Sequence, residues 1–346
     1  MKLSELLSHI PHTLLAGSGE TEITALCCDS RRAGSGSLFV ALPGARADGH
    51  GFVPAAFAQG AAAAIVERPV DAPAGAAVVL VENARIALSL LAAAFYGYPA
   101  RRMTLVGITG TKGKTTTAFL LRSILTAAGY KTGMIGTVGT FIGDEMVCDA
   151  RNTTPESLEL QERFARMAAE GCTHVVMEVS SQAMKLHRVA GIEFDAAVFL
   201  NLSPDHIGPA EHADLDEYRA CKAALFAQCR MAVGNADDPN WAAMAARVRP
   251  GCPVSTFGFS CAAQVRGGAV SPIRGQGLLG SRFPVAGTAQ PYELSMPGAF
   301  NAADALAAIA VSRALAIPDE AVRAGLAHAS VRGRTEVYPH PGDYIV

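Results

Sequence analysis

Lys114 and Thr115 close a glycine-rich turn, Gly110-Thr111-Lys112-Gly113-Lys114-Thr115-Thr116. An apolar run over 103–108 leads into it, and a helical pattern over about 116–128 follows. Strand, glycine loop and helix in that order are what a phosphate cradle requires. Glycines let backbone N–H groups close on phosphate oxygens, and the helix N-terminus adds partial positive charge. In such a loop Lys114 reaches the terminal phosphates and the Thr115 hydroxyl ligates Mg²⁺. The general P-loop pattern carries a glycine five residues before Gly113, where this chain has Ile108, so the loop is a shortened version. The competing reading is a Gly-rich turn between strand and helix that holds no nucleotide.

Other polar groups must be brought to this loop by the elements around it. The runs 174–177, 196–200 and 231–235 are nearly continuous in apolar residues, as buried parallel strands are. Helical patterns over 157–170 and 216–229 lie between them. The expected architecture is α/β: a doubly wound parallel sheet, with ligands at the carboxyl ends of its strands. Polar clusters stand at those ends: Glu178-Val179-Ser180-Ser181, then Asn201 to His206, then Asn235-Ala236-Asp237-Asp238. Glu178 could be a helix cap or a solvated charge. A carboxylate beside hydroxyls and phosphate oxygens suits Mg²⁺, so it is read as a metal ligand. His206 could cap or pack, but beside Asp205 and after a strand it is assigned to the site.

Ahead of this domain, residues 1–98 read as a small α/β unit. Leu3, Leu6, Leu7 and Ile10 mark a short helix, and strands are expected at 24–28, 37–42, 62–66 and 78–81. Asp29-Ser30-Arg31 in this unit reads as an ordinary capped turn. A linker at 97–101 leads to the second domain, 99–335. Within it, 252–295 is rich in Gly and short β-type segments and is expected to be a small antiparallel excursion. Helices follow at 302–315 and from Pro318 to about 327. Residues 336–346 read as the start of a further domain, with the beginning of a strand at 342–346.

Composition narrows the class. Half of the 346 residues are hydrophobic, charged residues make up 17%, and the net charge is −2. That balance predicts large cores and no nucleic-acid or membrane partner. The eight cysteines include no Cys-x-x-Cys pair, and no apolar run has membrane-spanning length. A cytoplasmic monomer is expected.

Taken together, these residues resemble the Mur ligases, the ATP-dependent amide ligases that build the peptidoglycan stem peptide. The motifs are Gly110 to Thr116, Glu178-Val179-Ser180-Ser181, Asn201 with Asp205-His206, Lys222 in Tyr218-Arg219-Ala220-Cys221-Lys222, and Asn301. Asp29-Ser30-Arg31 with 38–44 and Asp48-Gly49, and Asn152-Thr153-Thr154-Pro155, resemble the type that adds the third residue to UDP-MurNAc-L-Ala-D-Glu (MurE type). The resemblance implies ATP contacts along Gly110, Thr111, Lys112, Gly113, Lys114, Thr115 and Thr116, with Asn301 and Arg334 around the nucleotide. It implies Mg²⁺ at Thr115, Glu178 and His206, and at Lys222 as a carbamate, which turns a cation into a metal-bridging anion. On its own Lys222 reads as a solvated helix residue. Lys114, Glu178, His206 and Lys222 are the implied catalytic set. Ser30, Ala45, Arg46, Ala47, Asn152, Thr153, Thr154, Ser180 and Arg188 match positions that hold the UDP-substrate, which makes 1–98 its binding domain.

The implied chemistry activates a carboxylate as an acyl phosphate, which the amine of an amino acid then attacks. No covalent enzyme nucleophile is needed. The chain departs from the family pattern at Lys112, commonly Asn, at Leu186, often Gln, and through the loop after His206. The family carries a third, Rossmann-like domain that binds the amino acid. The chain stops where that domain would begin, so these residues alone are expected to bind substrates but ligate little. Two other readings stay open: a related ligase of another carboxylate, resembling folylpolyglutamate synthase, and a non-catalytic nucleotide-binding fragment.

Overall fold

The computed structural model describes residues 1–44, 47–209, 211–275 and 278–331. The chain divides into two compact units. The first comprises Met1–Ala100 together with two later segments, Glu156–Arg166 and Leu186–Gly191. The second comprises Arg101–Pro155, Met167–Lys185 and the chain from Ile192 onward.

Among the described residues the first unit has a five-stranded sheet, in the order Thr13–Ala16, Ala77–Leu80, Ala63–Val66, Ser37–Val40, Ala25–Cys27. The first strand pairs antiparallel and the others parallel. Alternate side chains serve the two faces. Leu38, Val40, Ala63 and Ile65 pack with Leu3, Leu6, Leu88 and Leu91, while Phe39, Ala64, Val66 and Val78 pack with Val53 and Ala56. Both faces are covered, which is why the strands read as unbroken apolar runs. The helix Ala84–Phe95 starts where it does because the Asn83 side chain accepts from the N–H groups of Arg85 and Ile86, both at 3.0 Å. Thr13–Ala16 escaped the sequence reading. It is an edge strand exposed along its length, so it shows no apolar signal.

In the second unit nine strands, counted among the described residues, form one sheet. Their order is Val265–Arg266, Val254–Gly258, Ala232–Asn235, Ala196–Phe199, Thr104–Thr109, His174–Glu178, Thr132–Ile135, Gly139–Ile142, Glu145–Asp149. The first seven are parallel, and the last two add an antiparallel hairpin. From Thr104–Thr109 the chain moves to one side of the sheet, and from Ala196–Phe199 to the other. The switch point lies between these two strands, where ligands bind in such folds. The helices Lys114–Ala127, Ala299–Ala314 and Asp319–His328 share one core through Leu120, Leu121, Ile124, Ala305, Ile309 and Leu326.

The expected antiparallel excursion over 252–295 is smaller than the sequence suggested. Val254–Gly258 and Val265–Arg266 extend the main parallel sheet. Only Ser271–Gly275, Leu278–Phe283 and Tyr292–Leu294 form a separate antiparallel sheet. Short strands rich in Gly and Ser carry no sequence mark of strand direction, so the two kinds read alike. The helix expected over 216–229 is α-helical over Leu215–Ala224 and then tightens into a 3₁₀ turn over Leu225–Gln228.

Candidate functional site

The turn Gly110 to Gly113 sits at the carboxyl end of Thr104–Thr109, at the switch point. Gly113 has φ +87°, and a Cβ there would lie 2.3 Å from Asp304 Oδ1. Only glycine meets both demands. The helix Lys114–Ala127 begins at once, with no side chain capping it. The N-terminal end of a helix carries partial positive charge and suits an anion in front of it.

The loop is held from the neighbouring strand. Asn201 O accepts from Thr111 N at 2.9 Å, and its side chain clasps Lys112 at both ends: Lys112 N donates to Oδ1 at 2.9 Å and Nδ2 donates to Lys112 O at 3.1 Å. Ser203 N donates to Thr111 Oγ1 at 3.0 Å. Lys112 Nζ pairs with Asp205 at 3.0 Å and holds that carboxyl below its usual range.

Two lysines converge on the loop. Lys114 Nζ donates to Gly110 O at 2.8 Å and to Thr111 O at 3.1 Å. Lys222 Nζ donates to Gly110 O at 2.9 Å and lies 4.4 Å from the centre of the Tyr218 ring. Lys222 is only 2% exposed, so the reading of it as a solvated helix residue is overturned. Burial first, and the Lys114 charge second, push its ammonium down to about 7. Tyr218 is fully buried beneath it, its hydroxyl 3.2 Å from Thr111 Oγ1.

Glu178 ends the strand His174–Glu178 and is 1% exposed. Its Oε1 accepts from Thr115 Oγ1 at 3.0 Å and from Thr137 N at 2.9 Å, and its Oε2 accepts from Thr137 Oγ1 at 3.1 Å. It is neither a solvated charge nor a helix cap. Gly136 leaves the space, since a Cβ there would lie 2.3 Å from Oε1. Below it, Thr154 Oγ1 donates to Glu178 O at 2.9 Å and accepts from Ser180 N at 3.0 Å. Thr153 Oγ1 lies 3.1 Å from Thr137 Oγ1, and Ser180 Oγ accepts from Ala183 N at 3.1 Å. Asn152 is exposed nearby in sequence.

His206 stands half-exposed at φ +56°, its Nδ1 2.9 Å from Glu211 Oε1 and its ring centre 6.2 Å from that of Tyr218. Asn301 is buried at the start of Ala299–Ala314, and its Nδ2 donates to Pro297 O at 2.7 Å. The structure thus joins Lys114, Thr115, Glu178, Thr153, Thr154, Ser180 and Lys222 through direct contacts around one loop, with His206 at its rim. Ser30, Ala47 and Arg188 belong to the first unit. Ser30 starts the 3₁₀ turn Ser30–Arg32, capped as expected by Asp29, whose carboxyl the Arg31 guanidinium lowers to about 2. Ala47 O accepts from Gly44 N at 3.1 Å. Arg188 Nη2 pairs with Glu156 at 2.6 Å. Ala45, Arg46 and Arg334 lie outside the described residues.

Thr137 and Asp304 had no place in the sequence reading, and Tyr218 stood there only as part of the motif around Lys222. Gly136 and Gly139 flanking Thr137 were the available signal for the first. For Mg²⁺, the Thr115 hydroxyl and the Glu178 carboxylate, already 3.0 Å apart, are the oxygen donors such an ion takes together with phosphate and water. Among the described residues no three His, Cys, Asp or Glu side chains converge. The residues fit a cation shared with a phosphate rather than an all-protein cage.

Comparison with known proteins identifies the family. A model of the Mur ligase middle domain matches residues 108–312, and one of the Mur ligase family catalytic domain matches 22–96. The UDP-N-acetylmuramoyl-L-alanyl-D-glutamate--2,6-diaminopimelate ligase of Caldanaerobacter subterraneus subsp. tengcongensis is 39% identical over 349 residues, covering 100% of this chain and 70% of that protein. A solved structure of a UDP-N-acetylmuramoyl-L-alanyl-D-glutamate--2,6-diaminopimelate ligase superposes with TM-score 0.82 at 22% identity, over 98% of this chain and 69% of that one. Mycobacterium tuberculosis folylpolyglutamate synthase superposes with TM-score 0.58 at 20% identity, over 73% of this chain and 64% of that one. A loop built for phosphate, a buried carboxylate beside it and a match to both domain models have one explanation: the chain belongs to the Mur ligase family.

Proposed function

We propose that this protein acts as an ATP-dependent amide ligase that extends UDP-MurNAc-L-Ala-D-Glu by one amino acid, in peptidoglycan synthesis in the cytoplasm. The observation that carries the reading is the contact of Thr115, next to Lys114 on the phosphate loop, with the buried Glu178. In the reaction, the free carboxylate of the substrate attacks the γ-phosphate of ATP, giving an acyl phosphate and ADP. The amine of the amino acid attacks the acyl carbon, and phosphate leaves. Residues Gly110 to Thr116 cradle the ATP phosphates through backbone N–H groups, with Asn301 and Arg334 around the nucleotide. Lys114 swings from its own loop carbonyls to the transferring phosphoryl group and neutralises charge there.

Mg²⁺ is assigned to Thr115, Glu178 and His206, and to Lys222 as its carbamate; when bound it offsets charge on the phosphate oxygens. A lysine with an ammonium pushed to about 7 holds a large share of free amine near neutral pH, the form that combines with CO₂. Ser30, Ala45, Arg46, Ala47, Asn152, Thr153, Thr154, Ser180 and Arg188 are assigned to the UDP-MurNAc-dipeptide substrate. Residues 1–98 are the substrate-binding domain and 99–335 the ATP-binding domain. Among the described residues no helix is long and apolar enough to cross a membrane.

Calorimetric titration with UDP-MurNAc-L-Ala-D-Glu, and separately with a folate, tests the substrate. Saturable binding of the UDP-sugar dipeptide and none of the folate is expected. The reverse pattern replaces this substrate with a folate, and binding of neither removes both.

A further inference from the structure

The strands His174–Glu178 and Ala196–Phe199 are not neighbours. The strand that carries the phosphate loop lies between them. The turns that follow them carry Glu178 to Ser181 on one side and His206 on the other. Something must set the spacing of these two turns across the loop.

We infer that His212 is the positioning residue that latches the His206 turn to the turn after Glu178. Its ring is buried, 1% exposed, and its Nε2 lies 2.9 Å from Ser181 Oγ. Its backbone closes the other turn: His212 N donates to His206 O at 3.2 Å, and His212 O accepts from Gly208 N at 2.9 Å. The ring packs 5.2 Å from Tyr218, the residue under Lys222 and against Thr111. One residue therefore ties together both flanks of the loop and its floor, the His206 side through its backbone and the other two through its ring. Lys185 repeats the tie nearer the surface, with Nζ 2.7 Å from Glu211 O and 2.8 Å from Glu217. The other ring nitrogen, Nδ1, has no hydrogen-bond partner among the described residues; its nearest carboxylate, Glu217, is 3.8 Å away. A buried imidazole that leaves one nitrogen unpaired is costly as a mere core residue. What offsets that cost is the bond that the other nitrogen makes to Ser181. The inference rests on the Mg²⁺·ATP reading only for its functional consequence.

The latch has a test without nucleotide. Hydrogen exchange of the unliganded 346-residue chain is measured for wild type, His212→Ala, His212→Gln, His212→Asn and Ser181→Ala. Gln places its amide near Nε2 and Asn places it near Nδ1. Exchange at the amides of 205–208 and of 211–212 is expected to speed up by about tenfold in His212→Ala, His212→Asn and Ser181→Ala, since one buried hydrogen bond is lost, and to stay near wild type in His212→Gln. Uniform acceleration throughout the second unit, or none in Ser181→Ala, overturns the latch. Calorimetry of Mg²⁺·ATP and of ATP in EDTA then reads the consequence. Variants that break the latch should lose about tenfold in the Mg²⁺-dependent affinity, the scale for supports of metal ligands, and little in EDTA. Equal losses in both conditions assign His212 to folding alone. A wild-type chain that binds no Mg²⁺·ATP removes the proposed function but leaves the exchange result standing.

Discussion

Lys114 and Lys222 donate to the same carbonyl oxygen, that of Gly110, at 2.8 and 2.9 Å. Burial depresses the Lys222 ammonium first, and its repulsion by Lys114 across the shared acceptor adds to that. The arrangement favours an anion of several charges beside the loop, as a nucleotide phosphate is.

Stability of the unliganded chain should depend on pH through Lys222. Its ammonium is depressed in the folded state, from 10.5 to about 7. Between those values the unfolded chain holds a proton that the folded chain does not, so stability rises with pH across that window. Denaturant unfolding in CO₂-free buffer at pH 7 and pH 10 should show wild type gaining relative to Lys222→Met, by at most about 4 kcal/mol. Parallel pH profiles for the two proteins contradict the placement of Lys222.

Glu178→Gln keeps the shape but removes the charge that faces Thr115 and Thr137. Mg²⁺·ATP affinity should fall roughly ten- to hundredfold, on the scale of one charged hydrogen-bonding partner. ATP affinity in EDTA should hold or improve. Calorimetry under both conditions separates the two, and an equal loss in both assigns Glu178 to structure.

Gly113→Ala forces a side chain onto a left-handed residue at φ +87° and against Asp304. The backbone conformation alone costs about 1–2 kcal/mol. Thermal unfolding should drop and nucleotide binding should be lost. Unchanged melting and binding would mean that the loop adopts another conformation.

Thr154→Val removes the hydroxyl that bridges Glu178 O and Ser180 N while keeping the volume. The orphaned buried groups should cost about 1–3 kcal/mol in denaturant unfolding. Binding of UDP-MurNAc-L-Ala-D-Glu should weaken more than that of ATP. The opposite order removes Thr154 and Ser180 from the substrate side.

The parallel strands were legible because both of their faces are buried, as Val198 between Ala197 and Phe199 shows, leaving unbroken apolar runs. The phosphate loop was legible because its glycines, Lys114 and Thr115 must be adjacent in sequence. Lys222 was not. Its meaning lies in burial beneath Gly110, 112 residues away along the chain, and a lysine on an amphipathic helix shows none of that. Thr137 and His212 were hidden for the same reason: each acts by a contact over a long separation, with Glu178 and with Ser181. The exposed Thr13–Ala16 strand was missed because its pairing with Ala77–Leu80 is made by backbone groups that any sequence carries.

The central claim is that Gly110 to Thr116 holds the phosphates of ATP. Calorimetric titration of Mg²⁺·ATP into the wild-type chain and into Lys114→Ala tests it most directly. One-to-one saturable binding to wild type, lost in Lys114→Ala while the variant melts like wild type, is the predicted result. Equal binding by both proteins, or binding by neither, contradicts it.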